Sequence, residues 1–326
     1  ISAADGATLK GIQIGGDLIL APGVTKDVTL VDCVIQGNIR NYGTGEVRFE
    51  APQITPESTA TKPSEVYKPG ATLDRTLEYG GKTVPIYRDR PLNVFSDVDF
   101  IWTGEENENQ RRLEYLGGEF RTRYGIDVSS FQGEIDWDAV ADDNIGFAMV
   151  RVGFRGTGTG SLNTDKYYEQ NIRGAMRAGL ETGVYFFAQA VTVEEAIEEA
   201  DYVISLLDGL DINGPVAYDW EMHDSTYRVY GTSPEMATAC AVAFCERIKD
   251  AGYTPMVYGG TYVTYMKYDQ GALADYLSWY PEYKSEKSEK LCPTLVYHMD
   301  YWQFSSSRAV AGINGRVDMN IQFIRR

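Results

Sequence analysis

The feature that most constrains the fold of this chain is an alternation of strands and helices that begins near residue 124. Five apolar segments rich in β-branched and aromatic residues are each followed by a segment with helical character. This order is typical of a parallel sheet. Three more strand-like segments then follow with no long helix between them. The sequence therefore predicts an α/β fold, an incomplete TIM-like barrel.

The chain before this alternation has a different texture. Residues 1–50 carry short alternating runs such as G-D-L-I-L, which predict a β-rich N-terminal module, a small solenoid or a meander. Residues 51–121 begin with a stretch rich in Pro, Ser and Thr, and Gly80-Gly81 then separates two alternating runs. We interpret 51–121 as a linker and β-hairpin bridge, either a unit of its own or packed on the barrel, and 122–326 as the barrel domain.

Composition argues against several classes of partner. The 326 residues carry a formal net charge of -17, which disfavours nucleic acid because phosphate contacts need clustered Lys and Arg. The longest apolar runs, such as 147–152, are far too short to span a bilayer, so no membrane insertion is expected. Two histidines and no Cys-x-x-Cys pattern occur, so a histidine-rich or zinc site is not expected.

Two helical segments are interpreted as structural. The helix at 193–207 is expected to present four acids to solvent on its outer face: Glu194, Glu195, Glu198 and Glu199. The helix at 234–251 contains two of the four cysteines. All four are interpreted as free thiols rather than as a disulfide framework: Cys33, Cys240, Cys245 and Cys292.

Residues 214–221 read G-P-V-A-Y-D-W-E, a short apolar strand that ends in two acids. Because side chains alternate along a strand, Asp219 and Glu221 point the same way. Like charges at that spacing raise the pKa of one carboxyl, so that an acid–base pair can work at neutral pH. The alternative is a solvated strand end with no chemical role.

In barrels of this kind the chemistry lies at the C-terminal ends of the strands. That rule brings further acids and aromatics from distant parts of the chain towards the two acids at 219 and 221. The candidates are Asp127, Tyr185, Phe187, Gln189, Trp279, Gln303 and Asp318.

Five motifs in the second half of the chain carry a family likeness. They read G-I-D-V-S-S-F-Q-G-E-I-D-W, A-G-L-E-T-G-V-Y-F-F, V-A-Y-D-W-E, Y-W-Q-F and G-R-V-D-M-N. Together they resemble glycoside hydrolase family 25, the Chalaropsis-type lysozymes or N-acetylmuramidases, over residues 122–326. The resemblance implies an irregular (β/α)5(β)3 barrel that hydrolyses the β-1,4 bond between N-acetylmuramic acid and N-acetylglucosamine, with no cofactor or metal.

The substrate in turn leads us to expect a secreted or cell-wall-associated enzyme. Its partner would be the glycan strands of peptidoglycan, and we expect it to act as a monomer.

The resemblance also assigns roles by motif. Glu221 matches the general acid, and Asp219 matches the neighbouring acid, either a stabilising carboxylate or a partner of the substrate N-acetyl group. Asp127 and Asp318 match the acids of the first and last motifs. Further residues are expected to bind substrate: Tyr185, Phe187, Trp279, Trp302 and Gln303. Two departures from the family pattern, at Phe186 and Ser130, affect the expected subsites.

Several mechanisms and functions stay open at this point. The substrate 2-acetamido oxygen can attack the anomeric carbon while Asp219 orients the amide, which we favour, or a carboxylate attacks directly at a separation of ~5–5.5 Å. A metal-dependent hydrolase is an alternative. A wall-binding barrel without turnover is another. The metal site would use Asp127, Asp219, Glu221, His223, Asp224 and Asp318.

Overall fold

The computed structural model divides into two compact units, Ile1–Thr59 and Ala60–Arg326, each with its own hydrophobic core. Residues 51–60 and 71 of the stretch expected to be a linker lie outside the described residues, as does Cys33. The described residues are 6–10, 13–14, 18–31, 34–35, 39–42, 44–50, 61–70, 72–104 and 110–326.

The first unit is built from short parallel strands. Thr8 pairs with Thr29 and Leu18 with Ile39, in each case 21 positions later in the sequence. Val28 pairs with Val47, 19 positions later. Parallel pairing at such a nearly constant spacing is the arrangement of a solenoid, in which successive coils stack, rather than of an antiparallel meander. The strands are β1 Thr8–Lys10, β2 Gln13–Ile14, β3 Leu18–Leu20, β4 Val28–Val31, β5 Val34–Ile35, β6 Ile39–Asn41 and β7 Val47–Glu50. Its buried side chains are Leu18, Leu20, Val24, Val28 and Leu30.

The second unit begins with a short helix and two antiparallel hairpins. The first hairpin turns at Gly80 and Gly81, with φ of 58° and 74°, the left-handed pair that a tight two-residue turn requires. Both hairpins bury side chains in the same core as the barrel, among them Ile86, Phe100 and Leu113. The elements are α1 Pro63–Val66, β8 Leu73–Tyr79, β9 Lys82–Tyr87, β10 Phe100–Thr103 and β11 Arg112–Tyr115.

The remaining strands form a closed barrel of eight, with β14 paired to one edge of β13. The barrel strands are parallel to their neighbours except for β20, which is antiparallel to both β12 and β19. The ring runs β12-β20-β19-β18-β17-β16-β15-β13 and returns to β12. The strands are β12 Phe120–Val128, β13 Ile145–Arg155, β14 Leu162–Thr164, β15 Glu181–Ala188, β16 Val216–Trp220, β17 Pro255–Tyr258, β18 Leu277–Pro281, β19 Tyr301–Arg308 and β20 Val317–Arg325.

Helices follow the first five barrel strands, so the expected irregular (β/α)5(β)3 barrel is confirmed. Polar caps start the longer ones: the Thr192 side chain accepts from Glu195 N–H, and Ser233 caps α5 with Pro234 at its first position. No helix among the described residues is long and apolar enough to cross a membrane. The helices are α2 Trp137–Asp142, α3 Tyr168–Arg177, α4 Val193–Leu206, α5 Pro234–Asp250 and α6 Thr261–Met266.

One acid of α4 does not face solvent as expected. Glu199 is fully buried, where it accepts hydrogen bonds from Arg155 Nε at 2.7 Å and Gln189 N–H at 3.0 Å. Its position follows from helical spacing, because it lies three residues after Ala196 and four before Val203 on the apolar face. Burial raises the pKa of Glu199 to about 7. The prediction of a wholly solvated acidic face was therefore wrong at this residue.

The hairpins before the barrel give a direct test of the expected domain boundary at residue 122, which remains a prediction. A chain of residues 122–326 should not unfold cooperatively, because it lacks Ile86, Phe100 and Leu113. Losing one large buried side chain costs about 2–5 kcal/mol, against a total stability of about 5–15 kcal/mol. Thermal unfolding followed by circular dichroism would compare this chain with residues 60–326. A cooperative transition at the same Tm in both chains would contradict the expected loss of cooperativity and would support a domain boundary at residue 122.

Candidate active site

The C-terminal ends of the barrel strands surround a cleft of about 870 Å³. The barrel interior beneath it is filled by apolar and aromatic side chains such as Phe147, Met149 and Met256. Eight of the nine residues to which the family resemblance assigns a role line the cleft: Asp127, Tyr185, Phe187, Asp219, Glu221, Trp279, Gln303 and Asp318.

Trp302 is the exception. Its side chain is fully buried among aromatic residues outside the barrel wall, and its Nε1 donates to the Glu282 carbonyl at 3.0 Å. Neighbours on a strand point to opposite faces, so Gln303 faces the cleft and Trp302 cannot. Trp302 therefore lies outside the cleft, contrary to the expectation that it binds substrate.

Strand β16 carries the two acids that end the apolar G-P-V-A-Y stretch. Tyr218 and Trp220 pack outward against the helix layer, and Asp219 faces the barrel interior, only 6% exposed. Glu221 follows the strand on the same side, with 24% of its side chain exposed. The backbone carbonyl of Glu221 is fixed by Gln189 Nε2 at 2.8 Å. The two acids thus sit at different depths in one cleft.

The deeper acid is strongly perturbed. Burial raises the pKa of Asp219 well above its usual range, and the negative charges of Glu221 and Asp127 add to the effect, while Arg151 opposes it. Its Oδ1 is buried and has no hydrogen-bond partner among the described residues. A buried oxygen without a partner is costly, so this atom is available to a ligand.

A second pair of acids lies across the barrel. Asp127 on β12 is directly opposite Asp318 on the antiparallel strand β20. Burial raises the pKa of Asp127 to about 6, although hydrogen bonds to its carboxylate oppose the shift. Burial and the adjacent Asp127 raise the pKa of Asp318 to about 8. This pair therefore holds a proton at neutral pH.

Two side-chain amides hold Asp127 in place. Gln303 Nε2 and Asn320 Nδ2 both donate to Asp127 Oδ2, at 2.9 and 2.8 Å. The amide oxygens are fixed in turn, because Trp279 Nε1 donates to Asn320 Oδ1 at 2.8 Å and Tyr258 donates to Gln303 Oε1 at 3.2 Å. Each amide is therefore oriented with its NH2 group towards the acid.

Sequence reasoning missed Asn320, although its spacing could have indicated it. Asn320 lies two residues after Asp318, and alternation along a strand places both on the inner face. Arg151 was also missed. Arg151 lines the cleft from within β13, donates to Asp165 Oδ2 at 2.8 and 2.9 Å, and lies over the Phe131 ring at 5.2 Å.

Exposed aromatic rings surround the mouth of the cleft. Phe131 is 86% exposed, and Tyr230, Tyr262 and Tyr283 are each about half exposed. Large apolar rings open to solvent at a cleft are suited to stacking on sugar faces. None of these four rings lies on a strand, and the sequence reasoning looked for site residues at the strand ends, which is why it passed over them. Trp279, by contrast, is 2% exposed and forms part of the floor.

The hard-cation site considered from sequence is not assembled. Among the described residues, no three His, Cys, Asp or Glu side chains are grouped so that they could hold a metal ion. Asp224 accepts hydrogen bonds from Thr226 within its own loop, at 2.8 and 2.6 Å. His223 instead contacts Glu221, at 2.7 Å between Nε2 and Oε2.

Comparison with known proteins agrees with this geometry. The sequence profile of glycosyl hydrolases family 25 matches residues 126–313. That is more than half of the chain, and the protein belongs to this family, as its motifs predicted.

Curated proteins and solved structures are similar to this chain over part of its length. The chain is 26% identical over 197 residues to the autolytic lysozyme of Clostridium acetobutylicum, covering 60% of this chain and 54% of that protein, so it spans about half the length of that relative. The spore cortex lytic enzyme SleM of Clostridium perfringens is 23% identical with a TM-score of 0.53, over 62% of this chain and 67% of that one. The modular autolysin LytC of Streptococcus pneumoniae is 24% identical with a TM-score of 0.52, over 76% and 57%. These two structures share the fold.

The raised pKa values predict how stability depends on pH. Asp127 and Asp318 titrate near 6 and 8 in the folded protein, above the ordinary value of 3.8. The unfolded chain therefore releases these protons at lower pH, and the free energy of unfolding should fall as pH rises from about 4 to about 8. Asp318→Asn should make this fall smaller. Calorimetric Tm values at pH 4, 6 and 8 would measure it.

The matched control is Asp208→Asn, which changes an exposed acid in the turn after α4. It should follow the wild-type pH profile. An Asp318→Asn profile as steep as that of wild type would contradict the assignment of a bound proton to this pair.

Proposed function

We propose that the protein is a peptidoglycan hydrolase, an N-acetylmuramidase that cleaves the β-1,4 bond between N-acetylmuramic acid and N-acetylglucosamine. The observation that carries the proposal is the pairing of the part-exposed Glu221 with the buried Asp219 in a cleft lined by aromatic rings. Family membership and the lytic relatives named above support it. The complete acid set argues against a wall-binding barrel without turnover.

Glu221 is the general acid in this scheme. Glycoside hydrolysis needs a carboxyl that delivers a proton to the leaving oxygen while the bond to the anomeric carbon breaks. Glu221 is the more exposed acid of the β16 pair and is fixed at its backbone by Gln189. It can therefore reach a sugar in the cleft without leaving its position.

Asp219 serves the substrate acetamido group rather than the anomeric carbon. A direct nucleophile must be an ionised carboxylate, and burial raises the pKa of Asp219 well above its usual range. Asp219 can accept a hydrogen bond from the acetamido N–H through its unpartnered Oδ1 without having to be ionised. The acetamido oxygen then attacks the anomeric carbon and forms an oxazolinium ion. Water opens this ion and gives its proton to the Glu221 carboxylate, which restores the acid.

The aromatic mouth supports a polymeric sugar as the ligand. Phe131, Tyr230, Tyr262 and Tyr283 lie in the segments that follow four different strands, β12, β16, β17 and β18, so their rings can contact several consecutive sugars. With peptidoglycan as its partner, the enzyme works as a monomer outside the cytoplasm, secreted or associated with the cell wall.

The test is digestion of purified peptidoglycan followed by reduction and mass analysis of the fragments. Wild-type protein should release fragments that end in reduced N-acetylmuramic acid. Glu221→Gln should lower the rate by about 10²–10⁴, the usual contribution of a general acid, and Asp219→Asn should also remove much of it. Both variants should keep the wild-type circular dichroism spectrum.

Asp208→Asn is again the control and should digest at the wild-type rate. Reduced N-acetylglucosamine ends would show that the bond is misassigned. Substantial turnover by folded Glu221→Gln would remove Glu221 as the acid. No release by the wild type would favour the wall-binding alternative.

A further inference from the structure

A histidine that the acid scheme does not use contacts the proposed general acid directly. His223 Nε2 lies 2.7 Å from Glu221 Oε2, and the His223 side chain is 64% exposed at the mouth of the cleft. Its ring also meets Tyr227 edge-on, with ring centroids 5.3 Å apart. The His223 side chain is thus more exposed than that of Glu221, of which 24% is exposed.

The loop that carries His223 is firmly attached to the barrel. Arg228 donates to the Gln189 carbonyl at 2.8 Å and to Glu195 at 2.7 and 2.9 Å. Its own N–H donates to the Thr157 carbonyl at 2.9 Å. Gln189 is also the residue that fixes the backbone of Glu221. Gln189 therefore contacts both the backbone of Glu221 and Arg228 of the loop that carries His223.

A hydrogen bond at one oxygen decides what the other oxygen can do. If the imidazole donates its Nε2–H to Oε2, that oxygen acts as an acceptor, and the carboxylic proton resides on Oε1. When Oε1 passes the proton to the glycosidic oxygen, Oε2 still accepts the same bond. The histidine thus fits both states of the acid without moving.

We propose that His223 is a positioning residue for Glu221. The His223 imidazole donates a hydrogen bond to Glu221 Oε2, so that Glu221 presents the catalytic proton from Oε1. This role rests on the proposed function, because it presupposes that Glu221 is the acid. It predicts that the hydrogen bond, and not the bulk of the ring, supports turnover.

The first experiment examines the contact without any substrate. The chain has two histidines, so the imidazole ¹⁵N spectrum contains one signal set for each, and His298, which stacks on Phe120 at 5.1 Å, is the internal reference. Glu221→Ala should shift the Nε2 signal of His223 and leave that of His298 in place. An unchanged His223 signal would overturn the proposal.

The second experiment separates donor from ring. His223→Phe keeps an aromatic ring beside Tyr227 but cannot donate. It should lower kcat on peptidoglycan by about ten- to a hundredfold with little change in KM, as expected for losing a hydrogen bond to the carboxylate that forms when Glu221 gives up its proton. His223→Gln keeps an N–H donor and should stay within about threefold of wild type.

The outcomes distinguish this role from the proposed function. Wild-type kcat in His223→Phe, or an equal loss in both variants, would overturn the role of His223 while leaving the muramidase proposal intact. A wild-type protein that releases no fragments would overturn the proposed function and this role together, whatever the ¹⁵N spectra show about the contact.

Discussion

Burying carboxyl groups at one end of a barrel is the constraint on which the rest of this site depends. Asp127 and Asp219 are each only 6% exposed, and a buried charge is expensive unless it is paired or neutralised. Arg151 is the sole Lys or Arg among the described residues that line the cleft, and Asp165 already binds it. Protons and amide donors, rather than cations, therefore offset the cost. That choice suits the proton transfer proposed for this site.

The antiparallel direction of β20 makes it possible to place Asp318 beside Asp127. Asp318 is the second residue of β20. If β20 were parallel to its neighbours, Asp318 would lie at the end of the barrel opposite the cleft. Because β20 is antiparallel to β12, its beginning lies at the mouth and places Asp318 opposite Asp127. Asp127 helps burial to raise the pKa of Asp318 as a result, and Asn320, two residues further on, donates to the Asp127 carboxylate.

The sequence predicted those parts of the molecule that follow a period. The barrel follows from alternating strands and helices, and Asp219 and Glu221 follow from the two-residue repeat of a strand. The same reasoning was wrong in α4, where a cluster of glutamates overlaps the apolar repeat of the helix. Four glutamates on α4 suggested a solvated face, although Glu199 falls on the apolar side of the helical repeat.

Other parts have no local signal at all. Phe131 and Tyr262 reach the cleft because strand ends converge there, and convergence is a property of the closed ring. The motif Y-W-Q-F was sufficient to indicate a site strand but was interpreted as two cleft residues. Alternation allows only one of them, Gln303, to face inward.

Trp302 nevertheless influences the cleft, because its packing on the outer face of the barrel helps to hold β19 in register. Its ring packs edge-on against Phe100 of the hairpin that precedes the barrel, with centroids 5.4 Å apart. The next residue, Gln303, donates to Asp127. One strand thus joins the hairpin core on its outer face to the acid network on its inner face. A shift of β19 by one residue would exchange these faces and remove the amide from Asp127. The packing of Phe100 on Trp302 opposes that shift, so the segment before the barrel contributes to the geometry of the acids without entering the cleft.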